Sequence, residues 1–359
     1  MEFSSLYGLD RALGTATVLV LPVPWEATTS YRRGTAAGPA AVARESVQVD
    51  LFDLDLERLG ATAPITPRFA PAAEPHRAGI ALGTVPPSWR AWADEASELA
   101  RDIIADHDDT GRPRPDDDPA LARVNALSAQ LDGSLRQAIV DAEEEGRFVA
   151  VLGGDHSVAF ASIAARAARY PGLGVLQFDA HADLRVAYQG FIGSHASVMH
   201  RVLAELPGVD KLVSVGVRDL CREEFAAIAA AGARVDAFFE RDRVAHLHSG
   251  GAFATFAQRV VATLPRDVYV SFDIDGLDPR FCPHTGTPVP GGLSFDEAVA
   301  ILTMVVSSGR RIVGLDLVEI APGDDAADDG WDGNVGARLL YKLIGCGLLA
   351  APGHVRSPA

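Results

Sequence analysis

Short apolar runs recur along the chain at 16–23, 147–152, 174–179, 211–217, 267–273 and 311–317. They are rich in Val, Ile and Leu and do not alternate strictly between apolar and polar, the pattern of parallel strands covered on both faces. Between them lie stretches with helical spacing of apolar positions, at 157–170, 195–206, 222–232, 252–264 and 295–308. Ser294 and Glu297 stand three apart just before the last of these helical runs, the spacing of a capping box. Such alternation predicts an α/β fold: a three-layer α/β/α sandwich around a mainly parallel, doubly wound sheet.

The rhythm fails between about 60 and 120. There ATAPITPRFAPAAEPHR reads as a proline-rich loop, WRAWADEASELARDIIADH as a helix and GRPRPDDDP as a charged turn. The expected organisation is a single domain over 1–359 carrying a loop-and-helix excursion at about 60–120.

Composition narrows the function. The chain has 359 residues, with 32 Lys and Arg against 48 Asp and Glu, a net charge of −16. That balance lacks the basic stripe a nucleic-acid partner needs, and it suits a cationic small molecule. Cys221, Cys282 and Cys346 lie far apart, which speaks for a reducing compartment and against a disulfide framework. The start, MEFSSLYGLDR, has no basic segment of the secretory kind, and the apolar run at 18–21 is too short to span a bilayer. A soluble cytoplasmic protein without a membrane partner is expected.

The candidate chemistry sits where strands end. Residues 149–157 read VAVLGGDHS, 175–183 read VLQFDAHAD, and 268–279 read VYVSFDIDGLDP. Should extended geometry persist past the strand, Asp179, His181 and Asp183 share one side, and so do Asp273 and Asp275. Ligands of open α/β sheets bind beyond the carboxyl ends of the strands, so the three segments would converge there. Four carboxylates and two imidazoles in one cleft repel one another unless cations intervene. His156, Asp179, His181, Asp183, Asp273 and Asp275 form an oxygen-rich, thiolate-free set that suits Mn²⁺ better than structural Zn²⁺. Six protein ligands fit two ions, with Asp179 and Asp273 as candidate bridges. Any one of these motifs alone reads equally as a solvated loop or a helix cap; three at strand ends do not.

Taken together, GGDHS (153–157), DAHAD (179–183), SFDIDGLDP (271–279), TGTPVPGGLSFDEA (285–298) and GLDLVEIAP (314–322) resemble the ureohydrolases, the family of arginase, agmatinase, guanidinobutyrase and formimidoylglutamase. The likeness runs from about 147 onward, with a fainter echo in LPVPWEATTSYRRGTAAGP (21–39), and is closest to agmatinase-like bacterial members. It implies an arginase-like sandwich and a binuclear manganese centre, two Mn²⁺ per chain, with Ni²⁺ or Co²⁺ as alternatives. One ion would be held by His156, Asp179, Asp183 and Asp273, and the other by Asp179, His181, Asp273 and Asp275. It further implies His195 as proton shuttle, Glu319 as partner of the substrate guanidinium, and a homo-oligomer, trimeric or hexameric. The usual HGT around the shuttle is HAS here, and His200 is a rival five residues on.

The expected reaction follows from the chemistry. Hydroxide shared by two ions would attack the guanidinium carbon, with Asp183 accepting its hydrogen bond and His195 protonating the departing amine. Urea and an amine would result. Agmatine is the first expected substrate, with guanidino acids and free guanidine as alternatives. Arg185 decides between them: aimed inward it would repel an amine tail and favour a carboxylate, whereas outward, the commoner state of an arginine, it is a surface charge. Tyr188 or Phe191 could close the pocket on a tailless substrate. A one-zinc deacetylase-type amide hydrolase and a non-catalytic relative are the remaining readings. His246 and His248 are expected in a polar loop, the acidic run Asp324, Asp325, Asp328 and Asp329 in a surface turn, and Trp331 at a helix cap or the entrance.

Overall fold

Eight short segments rich in Val, Leu and Ile lie side by side and every adjacent pair is parallel. They are β1 (Val18–Val23), β2 (Ile80–Leu82), β3 (Phe148–Gly153), β4 (Leu173–Phe178), β5 (Val209–Val215), β6 (Val235–Phe238), β7 (Asp267–Asp273) and β8 (Arg311–Val318). Their order across the sheet is β2-β1-β3-β8-β7-β4-β5-β6. This is a computed structural model, and it describes residues 5–9, 16–62, 75–110, 112, 114–115, 117–323 and 330–350.

The helices are α1 (Gly38–Glu45), α2 (Leu54–Thr62), α3 (Pro75–Ala78), α4 (Pro87–Thr110), α5 (Pro119–Glu144) and α6 (Ala159–Arg169). They continue with α7 (Val198–Glu205), α8 (Arg222–Ala231), α9 (Glu240–His248), α10 (Phe253–Thr263), α11 (Phe295–Ser307) and α12 (Trp331–Ala350). Alternate strand residues feed opposite layers. Val270, Phe272 and Leu315 pack with Phe256 of α10, Leu302 of α11 and Leu340 of α12. On the other face Val149 and Val151 meet Ile103 of α4 and Leu127 of α5, while Val175 and Val313 meet Ile163 of α6 and Met199 of α7. Each such fully buried side chain contributes roughly 1.5–3 kcal/mol. The result is the expected α/β/α sandwich, with the capping box of α11 in place: Ser294 Oγ accepts from the Glu297 amide and Glu297 Oε2 from the Ser294 amide.

Several elements were not legible from periodicity. Part of the 60–120 excursion is sheet: β2 extends the edge beside β1, and α4 packs along α5 over that end. Three residues, Ile-Ala-Leu, are too few to show a period. The start of α5 is set by Asp118, whose carboxylate accepts from the amides of Ala120 and Leu121, followed by Pro119 in the first turn. His246 and His248 occupy the last turn of α9, not a loop, where their charge-compatible side chains suit the helix C-terminus. Asp324, Asp325, Asp328 and Asp329, and most of the proline-rich stretch, lie outside the described residues. Among the described residues no helix is long and apolar enough to cross a membrane.

Two glycines let the strand ends close on one another. A Cβ on Gly154 would sit 2.0 Å from the Trp25 carbonyl oxygen, and one on Gly276 would sit 2.7 Å from the Asp179 nitrogen. Any side chain at either position would push apart the loops that carry the site.

Candidate metal centre and active site

The four central strands, β3, β8, β7 and β4, deliver polar residues to the carboxyl edge of the sheet. His156 follows β3, Glu319 follows β8, Asp273 ends β7 and Asp275 follows it, and Asp179, His181 and Asp183 follow β4. Strand alternation is not what groups them. β4 stops at Phe178, and the next residues turn: Asp179 Oδ1 accepts from the His181 amide at 2.6 Å. Asp273 Oδ1 likewise accepts from the Asp275 amide at 2.8 Å, and Asp155 Oδ1 from the Ser157 amide at 3.1 Å. Three Asx turns thus fix the three motifs.

Two site residues adopt left-handed backbone, Asp183 at φ 54° and Glu319 at φ 62°. Such conformations cost on the order of 1 kcal/mol in a non-glycine residue and persist where neighbours enforce them. Here the amides of Met199 and His200 both donate to the Asp183 carbonyl at 3.0 Å, and Thr285 Oγ1 donates to the Glu319 carbonyl at 2.7 Å.

The donor atoms gather in two groups. His156 Nδ1 lies 3.0 Å from Asp179 Oδ2, 3.0 Å from Asp183 Oδ2 and 3.3 Å from Asp273 Oδ2. His181 Nδ1 lies 3.4 Å from Asp179 Oδ1 and 3.1 Å from Asp275 Oδ2. Asp179 therefore offers one oxygen to each group, as a bridging ligand must. Asp273 reaches the first group, and its other oxygen holds the Asp275 amide.

The hydrogen bonding suits a positive charge between these atoms. Ser271 Oγ donates to Asp316 Oδ1 at 3.0 Å, so toward His156 Nε2, 2.9 Å away, it acts as acceptor. The imidazole hydrogen is then on Nε2, and the lone pair on buried Nδ1 faces three carboxylate oxygens with no hydrogen-bond partner. Such an atom among carboxylates is stable only with a proton or a metal ion between them. The ionisation tendencies agree. Burial and the charge of Asp179 raise Asp183 to about 7, and burial with Asp275 and Asp179 raises Asp273 well above the carboxylate range. Burial alone would lower the His156 pKa, but Asp179, Asp183 and Asp273 draw it well above normal. Unassisted, the cluster holds protons; divalent ions would take their place.

Beside the cluster lies a cavity of about 270 Å³ lined by His195, Glu319, Arg185, Tyr188, Asp219 and Thr287 among others. Glu319 is buried, its Oε1 accepts from the His156 amide at 2.8 Å, and no described residue donates to Oε2. Burial, with the charge of Asp155, holds its pKa well above the ordinary carboxylate value, so the carboxyl favours its proton unless a cation lies beside it. His195 Nδ1 meets Thr28 Oγ1 at 3.3 Å, while burial and the positive charges of His181 and His156 push its pKa down to about 3. His200 is not on the cavity wall; its amide serves Asp183. Arg185 is on the wall, with Nε 3.8 Å from Glu224 Oε2 and its guanidinium carbon 4.7 Å from the Tyr188 ring centre.

Residues unmarked by sequence reading support the site from behind. Arg218 donates to the carbonyls of Gly216, Asp275, Leu277 and Val289, tying the Asp275 loop to the cavity wall. Ser271 stands two before Asp273, on the same face by strand period, a signal that could have found it. Asp316, on a neighbouring strand, left no such signal. Trp331 opens α12 and donates Nε1–H to the Arg280 carbonyl. All three cysteines are free, Cys282 and Cys346 buried.

Comparison with known proteins matches residues 16–346 to the model of the arginase family. The N(1)-aminopropylagmatine ureohydrolase of Thermus thermophilus is 30% identical over 337 residues, 94% of this chain and 92% of that protein. An agmatinase of Bacillus subtilis is 31% identical over 201 residues, 56% of this chain and 64% of that protein. Among solved structures, the agmatine ureohydrolase of Thermoplasma volcanium superposes with a TM-score of 0.69 at 21% identity, covering 99% of this chain and 98% of that one. At that identity the likeness is one of fold.

Proposed function

The chain belongs to the arginase family and is a ureohydrolase, a hydrolase of guanidino C–N bonds, and we propose that its substrate is agmatine, cleaved to putrescine and urea. The observation that carries this reading is the pairing of floor and rim in one cavity. Glu319 offers a buried carboxylate oxygen free of protein donors, and the rim carries the exposed carboxylate of Asp219, while the Arg185 guanidinium there is paired with Glu224. A substrate with a cation at each end matches both. The names of the relatives, agmatinase and aminopropylagmatine ureohydrolase, point the same way.

The family depends on a binuclear metal centre, and the donor set here suits two Mn²⁺, or Ni²⁺ or Co²⁺. His156, Asp179, Asp183 and Asp273 would hold one ion, and Asp179, His181, Asp273 and Asp275 the other. When bound, the ions supply a water of lowered pKa fixed at the guanidinium carbon. Glu319 holds the guanidinium, which is protonated at any physiological pH. Asp183 accepts a hydrogen bond from the attacking water, and His195 passes a proton to the departing amine, without which the C–N bond does not break. The assembly is proposed as a cytoplasmic homo-oligomer, trimeric or hexameric.

Arg185 on the cavity wall favours a second reading, a guanidino acid whose carboxylate it would bind. Urea release from agmatine, arginine, guanidinobutyrate and guanidine, and formamide release from formimidoylglutamate, separate the two after metal is restored to stripped protein. Agmatine turning over fastest supports the first reading; guanidinobutyrate or arginine leading replaces it with the second.

A further inference from the structure

The loop after β1 and the Asp155 of GGDHS have no part in the chemistry above, yet they meet at His195. The Asp155 amide donates to the Trp25 carbonyl at 2.8 Å, and Asp155 Oδ2 accepts from the Ala27 amide at 3.2 Å. This pins fully buried Thr28 against the imidazole. Thr28 Oγ1 accepts from the His195 amide at 3.3 Å and stands 3.3 Å from His195 Nδ1. A threonine hydroxyl has one hydrogen and two lone pairs, and among the described residues Nδ1 is the acceptor left for that hydrogen. Ser194 Oγ repeats the arrangement, accepting from the Ala196 amide at 3.2 Å and lying 3.4 Å from the same Nδ1. The Tyr188 ring stands edge-on to the imidazole with centres 6.0 Å apart.

We propose that Thr28 is a positioning residue for His195: its hydroxyl fixes the imidazole as the tautomer with hydrogen on Nε2, the nitrogen left for the cavity. The inference rests on the reading of His195 as proton relay and says how that relay is aimed. A hydroxyl is suited to the task because it faces either state of the ring. It donates to Nδ1 of the neutral imidazole and, after rotating, accepts from Nδ1–H of the imidazolium. A carboxylate in its place would lock the cation, and a methyl would leave only the more distant hydroxyl of Ser194, 3.4 Å away, to set the tautomer.

The test is a double-mutant cycle on the full-length, metal-loaded protein, using agmatine or the fastest compound of the substrate panel. Thr28→Val, which keeps the shape, should lower kcat about 10-fold, the scale of an outer-shell orienting contact, with KM and metal content unchanged. Thr28→Ser should restore kcat to within about 3-fold, because the hydroxyl returns. Adding Thr28→Val to His195→Ala should cost nothing more. Should the valine variant not fold, Thr28→Ala makes the same comparison. A valine variant with parental kcat, or one whose loss persists undiminished without His195, overturns the proposal. His195→Ala turning over at the parental rate is a different failure, since it removes the relay itself and is seen without touching Thr28.

Discussion

The floor and the rim of the cavity are built on different terms. At the floor, Asp179 is 0% exposed, His156 1% and Asp275 1%, and the carboxylates are also held by backbone amides from the turns that follow β3, β4 and β7. At the rim, Tyr31 is 70% exposed and Arg185 37%, and Arg185 is restrained by a 3.8 Å ion pair and a ring face. A side chain fixed by the backbone keeps its geometry whatever surrounds it. One held by a single long, half-solvated ion pair does not, since partly exposed pairs are worth about 1 kcal/mol or less. The difference separates two questions: the floor specifies which bond is broken, and the rim which tail is accepted.

Substitutions at the two levels should therefore differ in size and in kind. Glu319→Gln removes a buried charge from the guanidinium site, where losing one member of such a pair costs about 3 kcal/mol. A fall of roughly 100-fold in kcat/KM is expected for every guanidino compound alike, read from steady-state urea release. A fall confined to compounds with an amine tail would place Glu319 at the wrong end of the cavity. Asp219→Asn should act only on the tail. KM for agmatine should rise about 3- to 5-fold while the rates for tailless guanidine stay put, since an exposed charge contributes about 1 kcal/mol or less. Equal effects on both substrates would erase the distinction between floor and rim.

The smallest effect lies outside both regions, between α5 and α7. Asp132, 2.9 Å from Arg201, is raised to about 6 by burial, with the ion pair pulling partly back. Its folded pKa exceeds the unfolded value of about 3.9, so the folded state binds more protons between those values. Stability from this group is therefore lost as pH rises through that window. Asp132→Asn removes the titration, so the difference in Tm, variant minus parent, should move in the variant's favour from pH 4 to pH 7. A constant difference across that range would contradict the assignment. Arg201 keeps Glu205, 3.0 Å away, as a partner in the variant.

How much of this was legible in sequence follows the same division. The floor was readable because its residues stand in runs of fixed spacing, Asp179-x-His181-x-Asp183 and Asp273-x-Asp275, each after an apolar run that had to be a buried strand. Even so, the reason they converge was misread: Asx turns, not continued strand alternation, bring each residue to the one two places on. β2 and β6 escaped notice because three or four residues carry no period, and α5 because its alanines blur the apolar stripe. The rim was readable only in part, for a physical reason. Arg185 and Tyr188, in one loop, stood out as candidates, but Asp219 comes from another loop, and whether an arginine points inward is decided by contacts such as Glu224 and Tyr188 that no local pattern encodes.

The claim on which the rest depends is that the buried carboxylates and imidazoles enclose two divalent cations. Elemental analysis of protein reconstituted with Mn²⁺ and then exhaustively dialysed tests it most directly. The account predicts two ions per chain, falling below one in Asp179→Ala, whose two oxygens serve both groups. One ion or none in the parent protein, or two retained without Asp179, would contradict it.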